Sequence, residues 1–332
     1  MRFSHKFFLL SVLLLIIFIL DLSVGSIKIS VLDIVKSFFD TSLTDIRVIV
    51  REFRQPRVMS AVLAGIALPL SGLLLQTLFS NPLAGPYIFG ISSGAGLGVA
   101  IVILGSTYLG FAALPGSLSI SIASVFGALG VLIIIMFISL RIKSNITILV
   151  IGIFMGSGIS AIISLMQYLS EAELLKSYVI WTMGSLDSVN ADNINLYSIL
   201  VFVILGLSIF LSKNFDGFYL GEENAKTLGI NVKNTRLAIF LISGILTGFT
   251  TAMVGPIGFV GIAVPHIVRL LFKETMHLKL IILSALSGAI IMIVSDIICH
   301  IGKSVIPVNT VTALWGIPII LWIVLKNKTL QG

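Results

Sequence analysis

Charge is scarce in this chain, so every charged or polar side chain inside an apolar run is a candidate for chemistry. Asp296 and His300 stand four residues apart near the end of one such run, a spacing that sets an acid and an imidazole on one helix face. An acid at membrane depth is a functional candidate by default; the competing reading is a local pair that holds a helix end together. Arg54 and Arg57 bracket Pro56 at the head of another run, which continues through Ser71 and Gln76 to Asn81. These three polar residues fit either the lining of a passage or hydrogen bonds between helices. His266 follows Pro265 and precedes Arg269 in a shorter apolar stretch.

Several chemistries lack their residues. The four histidines (5, 266, 277 and 300) are scattered, and Cys299 is the single cysteine, so neither a metal site nor an internal disulfide is expected. Gly302-Lys303-Ser304 mimics the end of a phosphate-binding loop, but that pattern needs a glycine where Ile297 stands. No nucleophile–base pair or paired carboxylate has catalytic spacing. The sequence predicts no catalytic residue, no metal and no cofactor.

The elements that position these residues are apolar helices. Of 332 residues, 57% are hydrophobic and 11% charged, whereas a soluble domain carries about 25% charged residues. The apolar residues fall in long continuous blocks, and roughly 20 of them make a helix that crosses the hydrocarbon core. Continuous rather than alternating blocks favour helices over a barrel. Spans are predicted at 7–24, 58–79, 88–109, 118–140, 145–169, 193–212, 236–254, 278–299 and 306–325, with a short apolar helix at 259–272 that re-enters against protein, giving about ten. The first segment also fits a signal peptide, with SVGS at 23–26 as a cleavage site; retention as a span is the expectation. The pairs Gly94/Gly98, Gly152/Gly156 and Gly244/Gly248 have the spacing that lets helices approach closely in lipid.

Net charge is +7, which in a membrane chain is read as bias across the bilayer rather than as nucleic-acid binding. With both termini in the cytoplasm, thirteen of the 21 Lys and Arg fall inside. Six of the remaining eight, Lys28, Lys36, Arg47, Arg51, Arg54 and Arg57, lie in one segment, 26–57. A single membrane domain over 1–332 is expected, with one exposed cytoplasmic segment at about 213–235.

Motifs then narrow the class. Arg-Gln-Pro-Arg at 54–57, Ser71-Gly72 with Gln76, the NPLAGP turn at 81–86, Gly90 through Ala95, WTMGSL at 181–186, LGEENAKTLGI at 220–230, and GPIGFVG at 255–261 followed by Pro265, His266 and Arg269 occur in order along nearly the whole chain. This series resembles the FecCD-type permeases, the membrane subunits of ABC importers for iron chelates, haem and cobalamin. The resemblance implies an all-α type II importer fold and a second permease copy. It also implies two cytoplasmic ATPases that hydrolyse ATP and an extracytoplasmic substrate-binding protein.

Residue by residue, the resemblance implies docking of the binding protein at Arg54, Arg57 and the position of His300. An arginine fork grips carboxylates bidentately; headgroup anchoring by snorkelling is the alternative for the two arginines. It implies coupling to the ATPase through Gly221, Glu222, Ala225, Leu228 and Gly229, in two short helices broken near Gly229. Val305 and Asn309 stand where the family has Glu and Gly, and His300 where it has Arg. Imidazole there would make a docking contact pH-dependent. The rival class is a secondary transporter with midplane ion sites. Scarce intramembrane acids and the exposed 220–230 segment argue against it, and a non-transporting structural protein leaves the basic segment 26–57 unexplained.

Overall fold

The computed structural model describes residues 2–39, 44–87, 89–106, 117–142, 144–302 and 304–328. Among them every regular element is helical: α1 (Phe3–Ser23), α2 (Val31–Phe39), α3 (Thr44–Val48), a π-helical segment (Ile49–Arg54), α4 (Gln55–Phe79), α5 (Ile91–Ile103), α6 (Ser117–Arg141), α7 (Asn145–Leu169), α8 (Ala172–Thr182), a 3-10 turn (Leu186–Ser188), α9 (Ala191–Phe210), α10 (Ser212–Tyr219), α11 (Glu222–Thr227), α12 (Val232–Val254), α13 (Val260–Phe272), α14 (His277–His300) and α15 (Val308–Lys328). Among the described residues, seven segments are long and apolar enough to cross a membrane; α5, α13 and most of α15 are shorter apolar helices. The protein is an all-α, polytopic membrane protein.

Helix ends follow local chemistry. Ser144 caps α7 by accepting the Thr147 amide, and Asn231 caps α12 by accepting that of Asn234. The expected third span at 88–109 is shorter: α5 ends at Ile103, and 107–109 lie outside the described residues. Lys303 lies outside them too. The sequence also gave no signal for α8, an amphipathic piece too short for a span.

The chain folds as two compact units. The first holds 1–70, 185–206 and 257–332. Its tightest crossing joins α4 and α14 at Gly65 and Gly288. A Cβ on Gly288 would lie 1.9 Å from the Gly65 carbonyl oxygen, and one on Gly65 2.4 Å from the Gly288 oxygen. Neither glycine belongs to a GxxxG pair, so the spacing rule missed this contact. The second unit holds 71–184 and 207–256. Here the motif glycines do pack: Gly94 and Gly98 of α5 lie against Gly127 and the Ala123 carbonyl of α6, and Gly244 and Gly248 of α12 against Leu132 and Ala128 of α6. Large apolar side chains such as Phe126, Phe154 and Phe210 are exposed. The most apolar window of α7 is 11% buried and that of the α4 segment 94%, so α4 is largely covered by protein and α7 is not.

Candidate functional site: a buried charge cluster and an exposed loop

The arginines of 54–57 point inward. α1 ends without a glycine cap, at Val24 in extended conformation, so its last carbonyls need outside donors. Arg54 and Arg57 supply them. The π-helical turn that precedes Gln55 ends on Arg54 and buries it. Arg54 Nη1 donates to the Leu22 carbonyl at 2.7 Å, and Nη2 to that of Ile27. Arg57 Nη2 donates to Val24 O at 2.9 Å and Asp21 O at 3.2 Å. A cation at a helix C-terminus also meets the negative end of the macrodipole.

Arg57 further joins two carboxylates from distant parts of the sequence. Its Nη2 lies 3.5 Å from Asp21 Oδ1 and its Nε 2.9 Å from Asp296 Oδ2. Side-chain exposure is 5% for Arg57, 0% for Asp21 and 1% for Asp296, so this is a desolvated charge triad rather than a headgroup anchor. His300 extends it. Nδ1 sits 3.0 Å from the Asp296 carbonyl oxygen and 3.3 Å from Asp296 Oδ1, and Nε2 3.2 Å from Asp187 Oδ2. Both ring nitrogens thus face oxygen acceptors, which suits imidazolium, the form with two donors. Asp187 lies outside the spans, on the 3-10 turn, and its carboxyl pKa is lowered. Burial acts to raise it, and the hydrogen bond from His300 and the charges of His300 and Arg57 outweigh that. Three carboxylates therefore meet Arg57 and His300, while Arg54 binds backbone carbonyls beside them. The two sequence readings of Asp296, local pair or functional acid, omitted its main partner, Arg57, because that contact spans 239 positions (57 to 296).

The other predicted positions resolve differently. Ser71 is fully buried, with its hydroxyl 3.0 Å from the Ser243 carbonyl and 2.9 Å from Thr247 Oγ1; it makes the interhelical bond of α4 to α12. Gln76 is buried. Asn81 Oδ1 accepts the Leu83 amide at 2.9 Å and so shapes the NPLAGP turn. In α13, Pro265 is buried and His266 and Arg269 are half-buried. Asn309, which departs from the family pattern, accepts the Gly258 amide at 3.0 Å and supports the loop into α13.

The 213–235 segment contains two short helices, but the break between them differs from the one expected. They are α10 and α11, separated at Gly221 (φ +101°). Gly229 (φ +76°) instead ends α11: its amide bonds Lys226 O and the Ile230 amide bonds Ala225 O. That pair of bonds is the Schellman motif, whose C′ position favours glycine. Ala225 is fully buried in the chain's own packing, while Tyr219, Leu220 and Leu228 are 51%, 60% and 60% exposed. Glu223 and Lys226 pair on the exposed side at 2.6 Å.

Comparison with known proteins places this arrangement. The FecCD transport family model matches residues 13–326. The chain belongs to that family. It is 32% identical to the hemin transport system permease protein of Yersinia pestis, over 95% of both chains. To the vitamin B12 import system permease protein of Salmonella arizonae it is 33% identical, over 83% of this chain and 82% of the relative. A solved transporter described as metal-chelate ABC type, in an inward-facing conformation, superposes with TM-score 0.84 and 28% identity, covering 98% of this chain and all of that one. The family member is accordingly a permease subunit of an ABC importer, a transport rather than an enzymatic role, and it works with an ATPase and a substrate-binding protein.

Proposed function

We propose that this chain carries a metal chelate inward, of the size and chemistry of a ferric siderophore, haem or cobalamin, powered by ATP hydrolysed on separate subunits. The observation that supports this reading is the family match over 13–326, joined by relatives named for hemin and for vitamin B12. Two permease copies, two ATPases and one binding protein form the working assembly. Both termini lie in the cytoplasm, and so does 213–235, as the charge bias favours. There the exposed Tyr219, Leu220 and Leu228 beside Glu223 and Lys226 give an apolar patch with a charged edge, suited to a groove on the ATPase.

Docking of the binding protein belongs at the opposite side of the membrane, at the 26–57 segment and its neighbours. Arg54, Arg57 and His300 are committed to the buried cluster, and Lys28, Lys36 and Arg51 are the exposed cations of that segment. They meet acidic groups on the partner, while Arg54, Arg57 and His300 hold the helix ends that present them. Switching between outward- and inward-open states follows from ATP binding and from the partner's differential affinity for the two.

The test is reconstitution with the cognate ATPase and binding protein in liposomes, followed by ATP-dependent uptake of ferrichrome, haemin and cyanocobalamin. Uptake of at least one, abolished by a hydrolysis-dead ATPase, is the expected result. Uptake that survives without ATP and follows an imposed ion gradient would overturn the proposal.

A further inference from the structure

Arg236, one turn into α12, belongs to none of the motifs above, yet it is 7% exposed. Its guanidinium reaches two elements. Nη1 donates to the Ser139 carbonyl at 3.3 Å. Ser139 lies in the last turn of α6, where carbonyls lack intrahelical donors. Nη2 donates to Oε1 of Glu222, the first residue of α11. One arginine, rooted in α12, thus bridges the negative end of the α6 dipole and a carboxylate on the short exposed helix.

We infer that Arg236 is the positioning residue that carries displacement of α11 into α6 and α12. The inference rests on the proposed docking of 213–235 on the ATPase. A helix of six residues has little stability of its own, so α11 moves as its attachments dictate. Apolar and local contacts also hold it: Ala225 is buried, Ile230 packs over Gly217, where a Cβ would meet Ile230 Cδ1 at 2.0 Å, and Asn224 Nδ2 donates to the Leu220 carbonyl four residues back. Apolar contacts slide with little directional preference. The planar guanidinium fork fixes both distance and angle. Without it, the Glu222 carboxylate and the α6 terminus repel rather than track one another.

The assembled transporter, with its ATPase and binding protein in liposomes, provides the test. The readout is the factor by which the binding protein stimulates MgATP hydrolysis, beside the ratio of ATPase to permease after purification. R236Q should cut the stimulation about tenfold, within the span of allosteric coupling energies. R236K should cut it about threefold, because an ammonium holds one partner rather than both. E222Q, isosteric and at a position where the side chain is 36% exposed, should also cut it about threefold, and no misfolding accounts for that change. In R236Q and R236K the ATPase should remain bound at the normal ratio. Normal stimulation in E222Q and R236Q overturns the inference. Loss of bound ATPase in R236Q and R236K overturns it too, by making Arg236 a support for docking alone. If the unmodified chain neither retains the ATPase nor responds to the binding protein, the docking reading itself has failed.

Discussion

The cluster around Arg57 and the segment around α11 both gather charge, and they use it oppositely. Around Arg57 the carboxylates come from α1, α14 and the 3-10 turn, positions 21, 296 and 187, and the central side chains are almost wholly out of water. Around α11 the charged partners are close in sequence, the Glu223–Lys226 pair is exposed, and Arg236 is a buried charge paired with the half-exposed Glu222. A desolvated ion pair is costly to form and more costly to break; an exposed one contributes little. One region therefore fixes helices in place. The other leaves the Glu223–Lys226 pair free to change partners, which fits the coupling role proposed for it.

The largest effect that would break this contrast lies in the cluster. Arg57→Leu leaves Asp21 buried without its cation and Asp296 with His300 alone, and loss of one member of such a group costs about 3–5 kcal/mol. The solubilised protein should melt well below the parent in a fluorescence-detected size-exclusion assay. Adding Asp296→Asn should recover part of the loss. An unchanged melting profile for Arg57→Leu would mean that the carboxylates find other compensation and that the cluster does not hold the fold.

Next comes the backbone of the exposed segment. Gly229→Val has open space at its Cβ, with nothing within 4 Å, but it forces a β-branched residue to φ +76°, a strain of about 1–2 kcal/mol at the Schellman turn. Uptake should fall severalfold while insertion and melting stay near the parent. Ala225→Leu should act more broadly, because a fully buried alanine has no room and overpacking costs about 1–3 kcal/mol. Normal uptake in both variants would remove 213–235 from the coupling path.

A smaller effect concerns acid. The Asp187 carboxyl is depressed in the folded protein, so its contribution to stability is present above the unfolded carboxylate pKa of about 3.9 and is lost as pH falls through the lower folded value. Between pH 7 and 5 it should be constant. In a melting series from pH 5 to 3, Asp187→Asn should flatten the acid limb; an identical slope in parent and variant would show that His300 does not stabilise that charge.

The smallest stability effect belongs to Lys226→Ala, at an exposed pair, which should leave the melting temperature unchanged. The same position settles sidedness. A cysteine replacing Lys226 should react with an impermeant maleimide only from the cytoplasm, and one replacing Glu171 only from outside. Labelling from the reverse sides would exchange the roles proposed for the two regions.

Family and helical class were legible because they depend on local properties. Continuous apolar blocks dictate helices in lipid, prolines and caps set their ends, and the 54–57, 220–230 and 255–269 motifs are short stretches that survive without knowledge of partners. What the residue types left open was direction. Arg54 and Arg57 read as an outward-facing pair, and Ala225 as a contact for another subunit, because spacing says which face a residue shares and not which face is covered. Burial is decided by neighbours far along the chain: Asp21 and Asp296 converge on Arg57 only once α1, α4 and α14 are packed, and Gly65 meets Gly288 without any local pattern. Removing those charges from water makes their pairing obligatory, so the tertiary structure, and not the sequence motif, determined which arginines became part of the scaffold and which cations stayed at the surface.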